Sequence, residues 1–372
     1  MPVVFAKFVH KEILGEWGRL LFSLLDAFVK AGYEIKLFDN MTPTDLGKYG
    51  PLALSLPNLA LTRTIPADTS EMIYLFDAED KTLGKRVWRK QVEVRFDVFS
   101  PYWFSEPIIM PYPVHPVHAG ADLQNRLQAC RTIQKKMRIF FSGETAGYVT
   151  NRIHYPNNKL LRTEAIGIIT KQMGEKLSLV KDEAGLDHLL ATRAHTNTFV
   201  LGETNEFRVD NRNWLSTLAK AEFFLCLPGY VMPMCHNAVE AMAVGAIPII
   251  NYAEWFDPSL EHLKNCIVFD GGNDLVAKLN MVLEMPDDQI EKMRRNVIDY
   301  YDNYLSPAWF CRRIESTEGR KFVVLLITDA NVTKQSAKLN RHSVLIRGTS
   351  TVRAEGFVGH VRRAAQRMMG MA

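Results

Sequence analysis

The chain has 372 residues, 47% hydrophobic and 23% charged, enough apolar material for two globular cores at roughly 100–200 residues per domain. A net charge of +4 is too small to indicate a nucleic-acid binder, which calls for a basic stripe or patch. Five cysteines, odd in number and without CxxC spacing, exclude a disulfide framework and a zinc site and fit a reducing cytoplasm.

The N-terminus MPVVFAKFVHKEILGEW lacks a long apolar region followed by a small-residue cleavage site, so no signal peptide is expected. No run of about 18 apolar residues offers a transmembrane helix, and a membrane-borne substrate would be met from the water side, at the inner face of a membrane. Residues 2–9 read as a strand. A helix follows, with Leu21, Leu24, Leu25 and Phe28 at helical spacing and Gly32 placed for a left-handed cap. Ile35, Leu37 and Phe38 open a second strand, completing a βαβ unit with parallel strands. Residues 40–70 are poorly periodic. Residues 72–78 read as a strand, 96–117 as a packed loop dense in Pro and aromatics, and 123–137 as a helix.

From residue 138 the pattern is regular. Strands are expected at 138–143, 195–202, 222–229, 246–252 and 265–271. Helices are expected at 158–173, 211–221, 235–245, 273–285 and 287–305. Alternation with short connections indicates an open parallel sheet. The fold class expected is α/β, with two Rossmann-type parallel-sheet domains facing a cleft. The N-terminal domain is expected over 1–120 and the C-terminal one over 121–305. Residues 306–372 hold a crossover, the apolar FVVLLITDA and a basic tail that could touch a membrane surface.

The strongest local signal is EFFLCLPGYVMPMCHNAVEAMAVGAIPIINY, residues 222–252. A buried strand ends at Pro228-Gly229, where glycine lets the backbone turn and approach a ligand. A helix then opens near His236 and Asn237, and its N-terminus favours phosphate. Glu240 lies one turn in, where a carboxylate can take ribose hydroxyls. Ligands of parallel sheets sit at this end of the strands.

LCLPG followed by AVEAMAVGAIPII resembles the exostosin-like group of GT-B glycosyltransferases, as do NWLSTLAKAEFF before it and RIFFSGETAGYVTNR, which is similar to the opening of that family's C-terminal domain. The resemblance covers roughly 138–305 and is only architectural over 1–120. It implies transfer of a sugar from a nucleotide-diphosphate-sugar donor to a glycan or lipid-linked acceptor. It implies that Glu240 binds the ribose and that Gly229, Tyr230, His236 and Asn237 line the diphosphate, with Gly143 in the opening strand.

Charge builds on the diphosphate as the sugar leaves, and positive groups must meet it. No Asp-x-Asp pair is present, since Asp77 and Asp80 are three apart, so no metal and no cofactor is expected. Arg152, Lys159 and Arg162 are the candidates instead, arginine being suited to bidentate phosphate binding. For the base that takes the acceptor proton, Glu16 and Asp77 lie nearest expected strand ends, with His10, Glu12, His115 and His118 as further candidates. Two other readings stay open: a non-catalytic protein of this fold binding nucleotide or glycan, and a sugar-nucleotide epimerase. A dehydrogenase is disfavoured, because no GxGxxG follows the first strand.

Overall fold

The computed structural model describes residues 1–40, 46–96, 107–120, 122–149, 160–192, 196–203 and 205–329. The chain divides into two units, one of residues 1–111 with 305–372 and one of residues 112–304. The aromatic stretch 97–106 and the basic tail from residue 330 lie outside the described residues.

The first unit opens with β1 (Val3–Lys7), α1 (Arg19–Lys30) and β2 (Glu34–Phe38), the expected βαβ unit. Its apolar stripe faces inward, with Leu21, Leu24, Leu25 and Phe28 fully buried. Gly32 closes α1 at φ +85°, a conformation open to glycine at little cost. Next come α2 (Gly50–Leu54), β3 (Leu59–Thr62), β4 (Met72–Phe76), β5 (Lys90–Arg95) and the short β6 (Ile108–Ile109). β1 pairs in parallel with β2 on one side and β4 on the other. The chain therefore builds outward through β2 and β3, then reverses across β1 to β4. A core of Phe5, Tyr74, Phe76, Leu83 and Trp88 packs against these strands, the Tyr74 and Trp88 rings stacking at 4.7 Å.

The second unit contains α3 (Leu123–Arg131), β7 (Met137–Gly143), α4 (Arg162–Gln172), β8 (Leu177–Val180), α5 (Glu183–Thr192), β9 (Thr196–Glu203) and α6 (Asn211–Ala219). It continues with β10 (Ala221–Cys226), α7 (His236–Ala243), β11 (Ile247–Ile250), β12 (Ile267–Val268), α8 (Gly271–Leu283) and α9 (Asp287–Tyr300). Its sheet runs β12-β11-β10-β7-β9-β8, and every pairing is parallel. β10 and β11 are buried along their whole length, which explains their unbroken apolar runs. The order reverses between β7 and β10.

A π-helical turn, Tyr301–Leu305, leads into α10 (Pro307–Ser316) and β13 (Lys321–Leu325). The sequence places FVVLLITDA in a segment of unknown role. In the structure β13 inserts between β5 and β6, pairing Lys321 with Gln91 and Val324 with Ile108, so the first sheet is β3-β2-β1-β4-β5-β13-β6. α10 is tied to the same unit. Cys311 Sγ donates to the Ala27 carbonyl at 3.3 Å, and Arg89 grips Glu315 with two bonds of 2.6 and 2.8 Å.

The fold class is thus α/β, two Rossmann-type parallel-sheet units in one chain, which is GT-B-like. The chain passes from the first unit to the second between Pro111 and Tyr112, in the Pro-rich stretch, so His115 and His118 belong to the second unit. Among the described residues no helix is long and apolar enough to cross a membrane.

Candidate functional site

Ligands of parallel sheets bind outside the strands' carboxyl ends where strand order reverses. In the second unit that point lies beyond Gly143 and Cys226, and a cavity of about 400 Å³ opens there. Its walls come from the end of β7, the starts of α4, α6 and α7, and the turn Pro116–His118.

Arg162, the first residue of α4, is 5% exposed. Its guanidinium donates to the carbonyls of Glu144 at 3.0 Å, Leu227 at 3.4 Å and Pro228 at 3.2 Å. It also stands 4.0 Å over the Tyr148 ring, while its Nε has no hydrogen-bond partner. No carboxylate pairs with Arg162 among the described residues. Burial of a charge without a counter-ion is costly, so the cavity is electrostatically prepared for an anion. Gly143 makes room for this arrangement, because a Cβ there would lie 3.0 Å from the Phe141 ring and 3.5 Å from Arg162 Nη1. Arg152 and Lys159 lie outside the described residues.

Glu240, in α7, lines the cavity floor and is fully buried. One oxygen accepts the His115 amide at 3.0 Å, and the other accepts Trp214 Nε1–H at 2.6 Å. Removal of this carboxylate would take away the acceptor of both donors, so Glu240 serves the fold as well as the cavity. His118 Nε2 lies 3.8 Å from Glu240, yet burial and the Arg126 charge hold the imidazole down at about 4, so it is neutral near pH 7. His115 Nδ1 accepts the Val117 amide at 3.1 Å, and its ring packs 4.7 Å from that of His236.

His236 and Asn237 line the cavity at the start of α7, whose N-cap residue Cys235 makes no side-chain cap. The positive end of this helix dipole therefore points into the same space as Arg162. Gly229 does not line the cavity. Glycine is needed there because a Cβ would come within 2.6 Å of the Met232 carbonyl oxygen, so the residue serves the tight loop itself. Tyr230 is 41% exposed and packs edge-on against Tyr148 at 5.7 Å, one ring removed from Arg162.

The remaining candidates belong to the first unit. Asp77, just past β4, has a fully buried side chain whose oxygens accept the amides of Val9 at 2.7 Å and His10 at 2.8 Å. Burial raises its pKa against the effect of those bonds. Asp77 thus clamps the loop after β1 and offers no open face to an incoming hydroxyl. His10 does: its side chain is 54% exposed, and Nδ1 stands 3.8 Å from Asp77 Oδ2. Both groups lie at the strand-order reversal of this sheet. Glu16 is ion-paired with Arg19 and has only 12% of its side chain exposed, whereas Glu12 is exposed on a 3-10 turn.

Several cavity residues escape the sequence reading. Trp214 sits where a helical aromatic reads as core, and it does pack on Phe224 at 5.9 Å. Only its indole N–H reveals a second job. Arg208 is exposed in the loop before α6 and, like Asn205, lines the cavity. Nothing in local periodicity marks either. His115 and His118 are expected on the acceptor side; the crossing of the chain after Pro111 brings them instead to Glu240.

No protein-family model matches the chain, nor does any curated protein sequence. Among solved structures, Anabaena Alr3699/HepE in complex with UDP is 12% identical, with 85% of this chain and 98% of that one covered at a TM-score of 0.44. A glycosyltransferase from Rickettsia africae ESF-5 is 7% identical, covering 84% and 97% at 0.46. WaaG, a glycosyltransferase involved in lipopolysaccharide biosynthesis, is 12% identical, covering 85% and 100% at 0.34. At such identities and scores the likeness concerns chain path, and what this protein does is read from its own residues.

Proposed function

We propose that the protein is a GT-B glycosyltransferase of exostosin-like type. It moves a sugar from a nucleoside-diphosphate-sugar to a glycan or lipid-linked hydroxyl without a metal ion. The observation that carries this reading is Arg162, buried at the strand-order reversal, donating to carbonyls and paired with no carboxylate among the described residues. A guanidinium so placed suits a diphosphate, and with the N-terminus of α7 it would meet the charge that grows on the leaving group. His236 and Asn237 are assigned to the diphosphate, with Tyr230 at its outer edge. Glu240 fixes His115 and Trp214 in the cavity wall, and a ribose contact would add to that role. In the first unit, His10 is assigned the acceptor's proton, with Asp77 fixing the ring and stabilising the imidazolium that forms.

The test is nucleotide binding by Arg162→Met, a change of similar volume without charge. UDP and other nucleoside diphosphates should raise the melting temperature of the native protein by mass action. The variant should fold but bind the diphosphates at least about tenfold more weakly, the loss of one charge-assisted contact. Equal affinity in the two proteins would remove the anion assignment and the donor reading with it. Release of UDP from UDP-sugars separates an enzyme from a protein that only binds.

A further inference from the structure

Trp17 is the most exposed tryptophan among the described residues, with 71% of its surface open. It also sits where a bulky side chain is least at ease. Glu16, Trp17 and Gly18 are consecutive left-handed residues, at φ 54°, 66° and 87°. Such conformations disfavour any residue with a Cβ, and a run of them persists only where surrounding structure imposes it.

That surrounding structure is visible. The Trp17 carbonyl accepts the Tyr49 amide at 2.8 Å, and the Gly18 amide donates to Leu14 at 2.8 Å. The Glu16 carboxylate is tied to Arg19. Gly47 lies so close to the Trp17 backbone that a Cβ would come within 2.7 Å of it. The loop is thus locked from both sides, and its one large apolar group is turned outward. It belongs to the segment between β1 and α1 that also carries His10. This is the edge of a parallel sheet where ligands bind.

We propose that the Trp17 indole is a stacking platform for a neutral sugar ring of the acceptor, a reading that rests on the protein being a glycosyltransferase. A rigid indole face offers a flat apolar surface to the C–H face of a pyranose and loses little freedom when it binds. Among the exposed residues of this segment and of the turn that touches Trp17, Val9 is apolar, while His10, Lys11, Glu12, Gly47 and Lys48 are polar, charged or small. The indole face thus lies in a segment rich in groups able to hydrogen-bond hydroxyls, with charges that suit a glycan better than the apolar interior of a bilayer.

The test uses the full chain with its six tryptophans replaced by 5-fluorotryptophan and followed by fluorine NMR. Trp17→Phe and Trp214→Phe assign the two relevant signals. The probes are maltotriose, cellotriose and triacetylchitotriose, then UDP, then vesicles of phosphatidylcholine with phosphatidylglycerol. At least one saccharide should move the Trp17 signal, and Trp17→Ala should weaken that saccharide about tenfold while leaving UDP affinity unchanged. No response at Trp17 to any of the three saccharides, a response to vesicles alone, or unchanged saccharide affinity in Trp17→Ala would overturn the proposal. UDP is read separately at Trp214, which lines the cavity of the second unit. UDP moving Trp214 while no saccharide moves Trp17 defeats the platform and leaves the donor reading standing. The converse, with the other nucleoside diphosphates silent at Trp214 as well as UDP, defeats the donor reading.

Discussion

Trp214 donates its indole N–H to Glu240 at 2.6 Å, joining the start of α6 to the first turns of α7 beneath the cavity. The bond is fully buried on the carboxylate side, and the same carboxylate holds the His115 amide at 3.0 Å. Three separate chain segments therefore depend on one side chain for the satisfaction of buried donors.

Glu240→Ala should accordingly destabilise the protein. Two stranded donors cost roughly 1–3 kcal/mol each, so a loss of about 2–6 kcal/mol is expected from urea unfolding. Glu240→Gln, which keeps an acceptor oxygen, should lose less. Nucleotide affinity should fall in Glu240→Ala as well, because His115 and Trp214 line the cavity. An unfolding midpoint for Glu240→Ala equal to that of the native protein would mean the network does not hold these segments together.

Much of the second unit is legible in the sequence because its signals are local. The apolar run of β10, the loop after it and the periodicity of α7 all lie within residues 221–243, and each element forms where the pattern places it. The sites of failure are non-local. β13 pairs with Gln91 and Ile108, more than 200 residues earlier in the chain, and a five-residue strand carries no record of its neighbours. Glu240 reads as a ligand-binding carboxylate from its helical position, but its Trp214 and His115 partners are 26 and 125 residues away. Asp77 lies at a strand end as expected, and only the fold shows that two loop amides already occupy it.

His118 gives the protein a defined acid sensitivity. Burial and the Arg126 charge hold its pKa at about 4, against 6.5 for the free side chain. Glu240, 3.8 Å away, pulls the other way, but its oxygens are engaged by Trp214 and His115. The unfolded chain thus takes up a proton near pH 6.5 that the folded protein refuses until about pH 4. The contribution is complete above pH 6.5, is lost as pH falls from 6.5 to 4, and changes no further below that. At ~1.4 kcal/mol per pH unit, its full extent is about 3 kcal/mol. Denaturant titrations across this window should show a shallower slope for His118→Asn than for the native protein. Parallel slopes would mean that His118 protonates freely in the folded state.

Transfer should survive chelation. In the proposed function, Arg162 and the N-terminus of α7 would supply the positive charge that a divalent ion otherwise brings to the leaving group. Release of nucleoside diphosphate from the donor is compared before and after EDTA, then with Mg²⁺ or Mn²⁺ added. The rate should stay level throughout. Abolition by EDTA with recovery on adding metal would show that Arg162 does not suffice.

The last prediction concerns His10 and Asp77. If His10 takes the acceptor proton, its ring must be held with one nitrogen toward Asp77 and the other toward the hydroxyl. The structure supplies the first half of that arrangement: Nδ1 stands 3.8 Å from a carboxylate that is itself fixed by the Val9 and His10 amides. His10→Asn should lower kcat by about 10²–10⁴-fold, the usual contribution of a positioned base. Nucleotide affinity should not change, since the cavity of the second unit is untouched. Asp77→Asn should behave differently, because the amide presents a donor to one of two backbone N–H groups that now find an acceptor. It should lower kcat and the unfolding midpoint together, whereas His10→Asn leaves the midpoint in place. Added imidazole should restore part of the rate to a small-side-chain variant, His10→Ala, and none to Asp77→Asn. If His10→Asn transfers sugar at the native rate, the base lies elsewhere, and the Asp77 clamp serves only to shape the loop after β1.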